Sequence, residues 1–350
     1  MGNITVLGAG AWGTALATLL AKNGNDVLLW SFEKKVCADI NENNKNECYL
    51  PGVELPTNLK ATSDLQEACQ HSEILIEVIP VKFLRKVLLQ AKPFINKNHR
   101  FVATSKGIEE KTLFLPIDIV KEIFGKGCRA AVLGGPNFAH DVAIGGFSAT
   151  TIASADKSFC SQLSAIFAND MFRVGCSEDV VGVQVAGALK NVIALAVGIA
   201  CGAGLSESTI ACIITRGLEE MCKVSQALGG KIETIYSYPG VGDLILTATN
   251  EQSRNFRAGK MLGQCVSVAD IEKKFPALPE GINSAPSVVA LANKIGTQKK
   301  NHNVIPGLTR NPADNGCSAT GKLSLPICQA VNNLIKSECD VKSFVKTVTY

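Results

Sequence analysis

Lys190 is the residue in this chain most able to do chemistry. Its surroundings read Ala186-Gly187-Ala188-Leu189-Lys190-Asn191-Val192-Ile193-Ala194, and no other charge lies between Val180 and Val197. Burying a lysine is costly unless it has a partner, and desolvation lowers its pKa toward the range of a general acid–base group. The small neighbours let another element or a substrate approach closely. A snorkelling lysine on an amphipathic helix is the bland alternative, and the lack of other charges speaks against it. Only four histidines occur (His71, His99, His140 and His302), without metal-ligand spacing, and there is no CxxC or HExxH. Proton movement is therefore expected from a lysine, and no metal is expected.

A second signal lies at the N-terminus. Gly8-Ala9-Gly10-Ala11-Trp12-Gly13 fits GxGxxG, follows the apolar run Ile4–Leu7 and opens a helical pattern from Thr14 to Lys22. In that setting Gly8 permits a tight turn, Gly10 lets backbone approach a pyrophosphate, and Gly13 lets helix and strand pack closely. The free N–H groups of the helix N-terminus then face the phosphates. The pattern predicts a dinucleotide cofactor, NAD or NADP. The next strand ends in Trp30-Ser31-Phe32-Glu33-Lys34-Lys35. Glu33 could hold the ribose hydroxyls, Lys34 or Lys35 a 2′-phosphate, and Phe32 the adenine, so the choice between cofactors stays open.

Three further segments could bind ligands. Thr104-Ser105-Lys106-Gly107 ends a strand, where ligands meet an open α/β sheet. Gly134-Gly135-Pro136-Asn137-Phe138-Ala139 follows the next strand and offers closely approachable backbone. Gly242-Asp243 and Ser253-Arg254-Asn255 put an acid and an anion-binding group in the second half, where Arg254 could grip a phosphate by charge-assisted hydrogen bonds.

Two kinds of element must position these residues. Val27–Trp30, Ile74–Ile79, Phe101–Thr104, Ala130–Leu133 and Thr150–Ala153 join Ile4–Leu7 as short β-branched runs buried on both faces, with Phe83–Ala91 as a second intervening helix. That alternation predicts a parallel, doubly wound sheet. After residue 178 the periodicity turns helical: Val180–Ile199, Glu207–Leu228 with Ser206 as N-cap and Gly229 as stop, Val288–Lys294 and Ile327–Ile335. The expected division is a dinucleotide-binding Rossmann-type domain over 1–178 and an all-helical domain over 179–350. Residues 299–321, rich in Pro, Gly and Asn, read as an inserted loop.

The 350 residues are long enough for two domains of ~100–200 residues each, and 46% hydrophobic with 19% charged excludes a disordered or fibrous chain. A net charge of +4 gives no electrostatic case for nucleic acid. The longest uncharged stretch, Asn191–Leu205, is too short and glycine-rich to predict membrane insertion. Thirteen cysteines without paired spacing suggest small hydrophobes in a reducing, cytoplasmic setting.

Taken in order, the glycine fingerprint through Trp12-Gly13, Ser105-Lys106-Gly107-Ile108-Glu109, Gly135-Pro136 with Phe138-Ala139, Gly187-Ala188-Leu189-Lys190-Asn191-Val192, Ile214-Thr215-Arg216-Gly217-Leu218, Gly242-Asp243-Leu244 and Ser253-Arg254-Asn255 resemble the NAD(P)-dependent glycerol-3-phosphate dehydrogenase family. The resemblance implies a Rossmann domain, a helical domain and a site between them. It implies reduction of dihydroxyacetone phosphate to sn-glycerol 3-phosphate, the backbone of glycerophospholipids, with a homodimer as the family expectation. Lys190 would be the proton donor or acceptor. Substrate contacts would fall on Lys106, Gly135, Asn137, Lys190, Asp243, Ser253, Arg254 and Asn255. Cofactor contacts would fall on Ala11, Trp12, Phe32, Lys106, Ala139, Arg254, Leu278 and Glu280, beside Gly8, Gly10 and Gly13. The chain departs from the family at Asn137, where a serine or threonine is usual, at Gly134, Val81 and Pro279, and at Glu77, a charge in a strand that is usually apolar. Residues 299–321 have no family counterpart. Two competing readings are a related reductase of another small hydroxy acid, which would not need a phosphate grip at Arg254, and a non-catalytic dinucleotide sensor, which would not need Lys190, Asp243 and Arg254 together.

Overall fold

The structure, a computed structural model, describes residues 2–275, 277–301 and 323–349. The chain forms two units: Met1–Lys106 with Phe114–Gln184, and Gly107–Leu113 with Val185–Tyr350.

The first unit is built on an eight-stranded sheet. Its strands are β1 (Asn3–Leu7), β2 (Asp26–Trp30), β3 (Lys60–Thr62), β4 (Ile74–Glu77), β5 (Arg100–Ala103), β6 (Arg129–Gly134), β7 (Ser148–Ala153) and β8 (Phe172–Ser177), in spatial order β3-β2-β1-β4-β5-β6-β7-β8. Every neighbouring pair is parallel except β6–β7, so the parallel sheet expected from the alternation carries an inverted parallel pair, β7–β8, at one edge. Side chains alternate between two cores. Ile4, Val6, Ile74, Ile76 and Val102 meet one set of helices, including Ala11–Lys22. Leu7, Leu75 and Phe101 meet Val81–Ala91 and Pro116–Phe124. β3 and β8 escape a hydrophobic reading because one is three residues long and the other, with Arg173 and an irregular burial pattern, is an edge strand. The strand order turns back on itself between β1 and β4, the switch point where ligands meet such sheets.

The expected division after 178 shifts to Gln184. The first turn of the Val180–Gly202 helix packs on the sheet: Val183 joins Ala103, Ile117, Val132 and Ala153, and the Gln184 side chain accepts a hydrogen bond from the Ile117 N–H at 2.9 Å. The rest of the helix is the centre of the second unit. Its 23 residues are long and apolar enough to cross a membrane, contrary to the shorter stretch read from the sequence, but 89% of its most apolar window is buried inside the protein. A helix apolar all round is what a fully enclosed core helix should be. Glu207–Ala227 is capped as expected, with Ser206 Oγ accepting from the Thr209 N–H and Gly229 in the left-handed region at φ +86°. Helix Glu280–Asn301 runs three residues into the expected 299–321 loop. Residues 302–321 of that expectation lie outside the described residues.

One contact fixes where the Lys190 helix lies against the helix Arg254–Gly263. A Cβ on Gly198 would stand 2.2 Å from the Phe256 carbonyl oxygen and one on Gly202 2.1 Å from that of Lys260. Reciprocally, Gly259 faces the Leu195 oxygen and Gly263 the Ile199 oxygen, each at 2.2 Å. Backbone therefore touches backbone, and no larger residue fits without separating the helices. Gly259→Ala is expected to destabilise the protein by ~1–3 kcal/mol, read as a lowered midpoint in urea unfolding. An unchanged midpoint would contradict this packing.

Candidate active site

Lys190 is buried and partnered. Its Nζ donates to Asp243 Oδ1 at 2.5 Å and to Thr247 Oγ1 at 2.9 Å, and the Thr247 hydroxyl lies 3.3 Å from the same carboxylate oxygen. The side chains of Lys190 and Asp243 are only 8% and 1% exposed. Neither charge would be tolerated there alone. Asp243 is delivered by an unusual piece of backbone. Tyr238–Gly242 forms a π-turn that runs directly into the short helix Asp243–Ala248, and Gly240 is pressed so tightly on Ile235 that a Cβ would sit 1.9 Å from its carbonyl oxygen. Thr247 follows Asp243 by four residues, which puts both on one helix face. Thr247 belongs to none of the motifs singled out above, although its i,i+4 spacing from Asp243 marks it in the sequence.

The residue after Lys190 organises a second cluster. Asn255 Nδ2 donates to Asn191 Oδ1 at 2.9 Å, and Asn255 Oδ1 accepts from the Gly281 N–H at 2.8 Å. Gly281 is needed there, since a Cβ would lie 2.4 Å from the Asn191 carbonyl oxygen. The side-chain amide of Asn255, expected to contact substrate, also ties Asn191 to the segment that carries Leu278 and Glu280. Ser253 is also structurally occupied: it caps helix Arg254–Gly263, its Oγ accepting from the Phe256 N–H at 3.2 Å. Arg254 begins that helix and is exposed as a residue. Surrounding protein lowers its pKa, and the charge of Glu280 opposes that shift. Burial pushes the Glu280 carboxyl up to about 7, with Arg254 pulling the other way. Leu278 and Glu280 are half-buried.

In the first unit the glycine loop has the form the motif requires. Gly8 adopts φ +120°, with a Cβ position 2.8 Å from the Val78 carbonyl oxygen, and Gly13 lies where a Cβ would be 1.8 Å from the Gly8 oxygen. Gly10 caps the helix Ala11–Lys22 without a side chain and faces open space, and Ala11 and Trp12 are half-buried in its first turn. Asn46, which the sequence did not signal, locks the loop: its Nδ2 donates to the Ala9 carbonyl at 2.9 Å and to Thr14 Oγ1 at 2.8 Å. An open cradle of backbone at an uncapped helix N-terminus fits a dinucleotide pyrophosphate.

Beyond β2, Phe32 is 85% exposed, an aromatic face with no packing of its own to explain it. Glu33 accepts from the Tyr49 hydroxyl at 2.7 Å and stands 3.8 Å from Lys35 Nζ. That carboxylate and burial push the Tyr49 hydroxyl up to about 12. Lys106 is half-buried beyond β5. Gly135 is wedged against β7, 2.7 Å from the Ala149 oxygen by its Cβ position, and Asn137 Nδ2 donates to that same carbonyl at 2.9 Å. Asn137 Oδ1 is buried with no hydrogen-bond partner among the described residues, and Ala139 opens the helix Ala139–Ile144. Among the described residues no three His, Cys, Asp or Glu side chains are grouped to hold a metal.

Residues 3–160 match the N-terminal part, and residues 179–346 the C-terminal part, of the NAD-dependent glycerol-3-phosphate dehydrogenases. The chain belongs to this family. It is 40% identical over 299 residues to a glycerol-3-phosphate dehydrogenase [NAD(P)+] of Fusobacterium nucleatum, covering 85% of this chain and 89% of that one. A Bacillus subtilis protein of the same name is 39% identical over 303 residues, covering 84% and 86%. The crystal structure of glycerol-3-phosphate dehydrogenase from Coxiella burnetii superposes with a TM-score of 0.88 at 32% identity, covering 99% of this chain and 98% of that one. This NAD(P)-dependent oxidoreductase family thus accounts for both halves of the chain.

The buried pair generates a stability test. Asp243→Ala leaves an ammonium group without its counter-charge and is expected to destabilise the protein by ~3–5 kcal/mol. The double variant Lys190→Met/Asp243→Leu should lose less than the two single variants summed, measured by urea unfolding. Additive losses would mean that the pair is not energetically coupled.

Proposed function

We propose that the chain interconverts dihydroxyacetone phosphate and sn-glycerol 3-phosphate, with Lys190 moving the proton at the C2 oxygen. A bound nicotinamide supplies hydride to C2 in one direction and takes it back in the other. As hydride arrives, negative charge develops on the C2 oxygen. The Lys190 ammonium stabilises that charge and donates its proton to it, so the alkoxide becomes the product hydroxyl. Asp243 and Thr247 hold Nζ from the other side, which fixes its direction and restricts the amine that remains after transfer. In the reverse direction Lys190, as the free amine, accepts the hydroxyl proton while hydride leaves C2.

Arg254 is assigned to the substrate phosphate. It begins a ten-residue helix whose first N–H groups favour an anion, and its guanidinium adds a charge-assisted grip. Ser253 serves this site by capping the helix, and Asn255 by bracing the segment of Leu278 and Glu280 through Gly281. Binding energy from the phosphate, remote from the reacting carbon, positions the carbonyl. On the first unit, Gly8, Gly10, Ala11, Trp12 and Gly13 take the pyrophosphate, Phe32 covers the adenine, and Lys106 and Ala139 line the rest of the cofactor. Gly135 keeps backbone close, and the unsatisfied Asn137 Oδ1 accepts a ligand hydroxyl.

The observation that carries this reading is the buried Lys190–Asp243–Thr247 cluster. A dinucleotide sensor has no use for a desolvated ammonium group. We place the reaction in the cytoplasm, in keeping with the free thiols among the described cysteines, and assign its product to glycerophospholipid synthesis. The test is loss of NADH and NADPH absorbance with dihydroxyacetone phosphate. Lys190→Ala is expected to lower kcat ~10²–10⁴-fold while the Kd for the cofactor, measured by tryptophan fluorescence, changes less than about threefold. Turnover near the wild-type rate in Lys190→Ala would overturn the assignment.

A further inference from the structure

Glu77 is the charge that neither the fold nor the proposed reaction explains. It closes β4, opposite Leu7 of β1 and Ala103 of β5, and is 0% exposed. Its carboxyl is nonetheless held at both oxygens. Ser105 Oγ donates to Oε1 at 2.8 Å, and the Ile79 N–H approaches Oε2 at 3.4 Å. Its backbone carbonyl takes the Thr104 hydroxyl at 3.0 Å. These contacts join two turns at the sheet's switch point. The Ile79 turn includes Val78, whose carbonyl oxygen backs Gly8 and whose Cβ lies 3.4 Å from the Cβ position of Gly13. The Ser105 turn leads directly into Lys106.

We infer that Glu77 is a positioning residue of the dinucleotide site, clasping the turn behind the glycine loop to the turn that presents Lys106. This rests on reading the glycine loop as the pyrophosphate cradle. The clasp acts as an uncharged acid. Burial raises the carboxyl to about 8, against the hydrogen bonds of Ser105, Ile79 and Thr104, which favour the ionised form. Nearby elements bring little charge to answer it. β1, the 78–80 turn and residues 8–13 contain no ionisable side chain, and Lys106 is the basic group on the 104–106 turn. On the helices covering that face of the sheet, Arg85 pairs with Glu122, Asp118 bonds the Leu115 N–H, Lys82 and Lys86 are exposed, and Lys121 is half-buried. Ionising Glu77 would put a negative charge at the strand ends that receive a dianionic pyrophosphate. Dinucleotide binding therefore favours the protonated acid, and affinity falls as pH rises through about 8.

The test measures NADH binding directly, by quenching of Trp12 and Trp30 fluorescence between pH 6 and 9.5, with no substrate present. For the wild-type protein Kd should rise about tenfold from pH 7 to pH 9, as the competent protonated fraction falls. Glu77→Gln, an uncharged isostere that keeps the acceptor, should change less than twofold over that range. Ser105→Ala removes a hydrogen bond that favours the ionised form, so it should move the inflection to higher pH, and it serves if Glu77→Gln does not fold. Glu280→Gln identifies any inflection near 7 as that of Glu280 and should leave the one near 8. Wild-type pH dependence persisting in Glu77→Gln, or a wild-type Kd independent of pH, would overturn the inference while leaving the cofactor reading intact. No NADH binding at any pH would overturn both.

Discussion

A buried ammonium group must be answered, and much of the second unit is arranged to answer the one on Lys190. The core helix that carries it is apolar on all sides and almost wholly enclosed. In such surroundings a lone charge would neutralise or break the fold. The Asp243 carboxylate and the Thr247 hydroxyl make it tolerable. Neither reaches Lys190 by virtue of its own helix alone. The π-turn and the crowded Gly240 aim the short Asp243 helix at the lysine, and irregular helical turns of this kind recur where function demands a particular side-chain direction. The arrangement is a weak source of stability compared with apolar packing. Its retention makes sense if the ammonium itself is wanted.

Close backbone contact carries that position outward to the rest of the unit. Four glycines seat the Lys190 helix on the helix that begins at Arg254, so Lys190 and Arg254 belong to one closely packed pair of helices. Asn255 extends the pair by one more hydrogen-bonded step to Gly281, and so to Glu280. Small residues here act as spacers of fixed length. The first unit uses the same device at the opposite end of the chain, where Gly13 rests on Gly8 and Asn46 ties the loop shut.

Much of this was legible without coordinates. The glycine fingerprint, the six apolar strand runs, the Ser206 cap and the isolation of Lys190 are local patterns, and local patterns survive in a sequence. What lay hidden depends on distance along the chain. Asn46 meets Thr14 across 32 residues, and Asn255 meets Asn191 across 64. No periodicity connects such pairs. Ser253 and Asn255 show a second limit: their residue types suggested ligand contacts, and nothing in the sequence showed that both side chains also help to build the site. β8 was invisible because an edge strand needs no apolar run, and the inverted β7–β8 pair because strand direction leaves no trace in composition. Glu77 was conspicuous in the sequence as a charge in an apolar strand, and only the Ser105 and Ile79 contacts supply its reason.

The central claim is that the amine of Lys190 moves the proton. Chemical rescue tests it most directly: Lys190→Ala, whose truncated side chain leaves room for a small primary amine, is assayed for dihydroxyacetone phosphate reduction with added methylamine or ethylamine. The account predicts saturable recovery of turnover that depends on the amine's pKa, with tetramethylammonium, which has no proton to give, giving none. Turnover that is already at the wild-type level, or that responds equally to all amines as to salt, would contradict it.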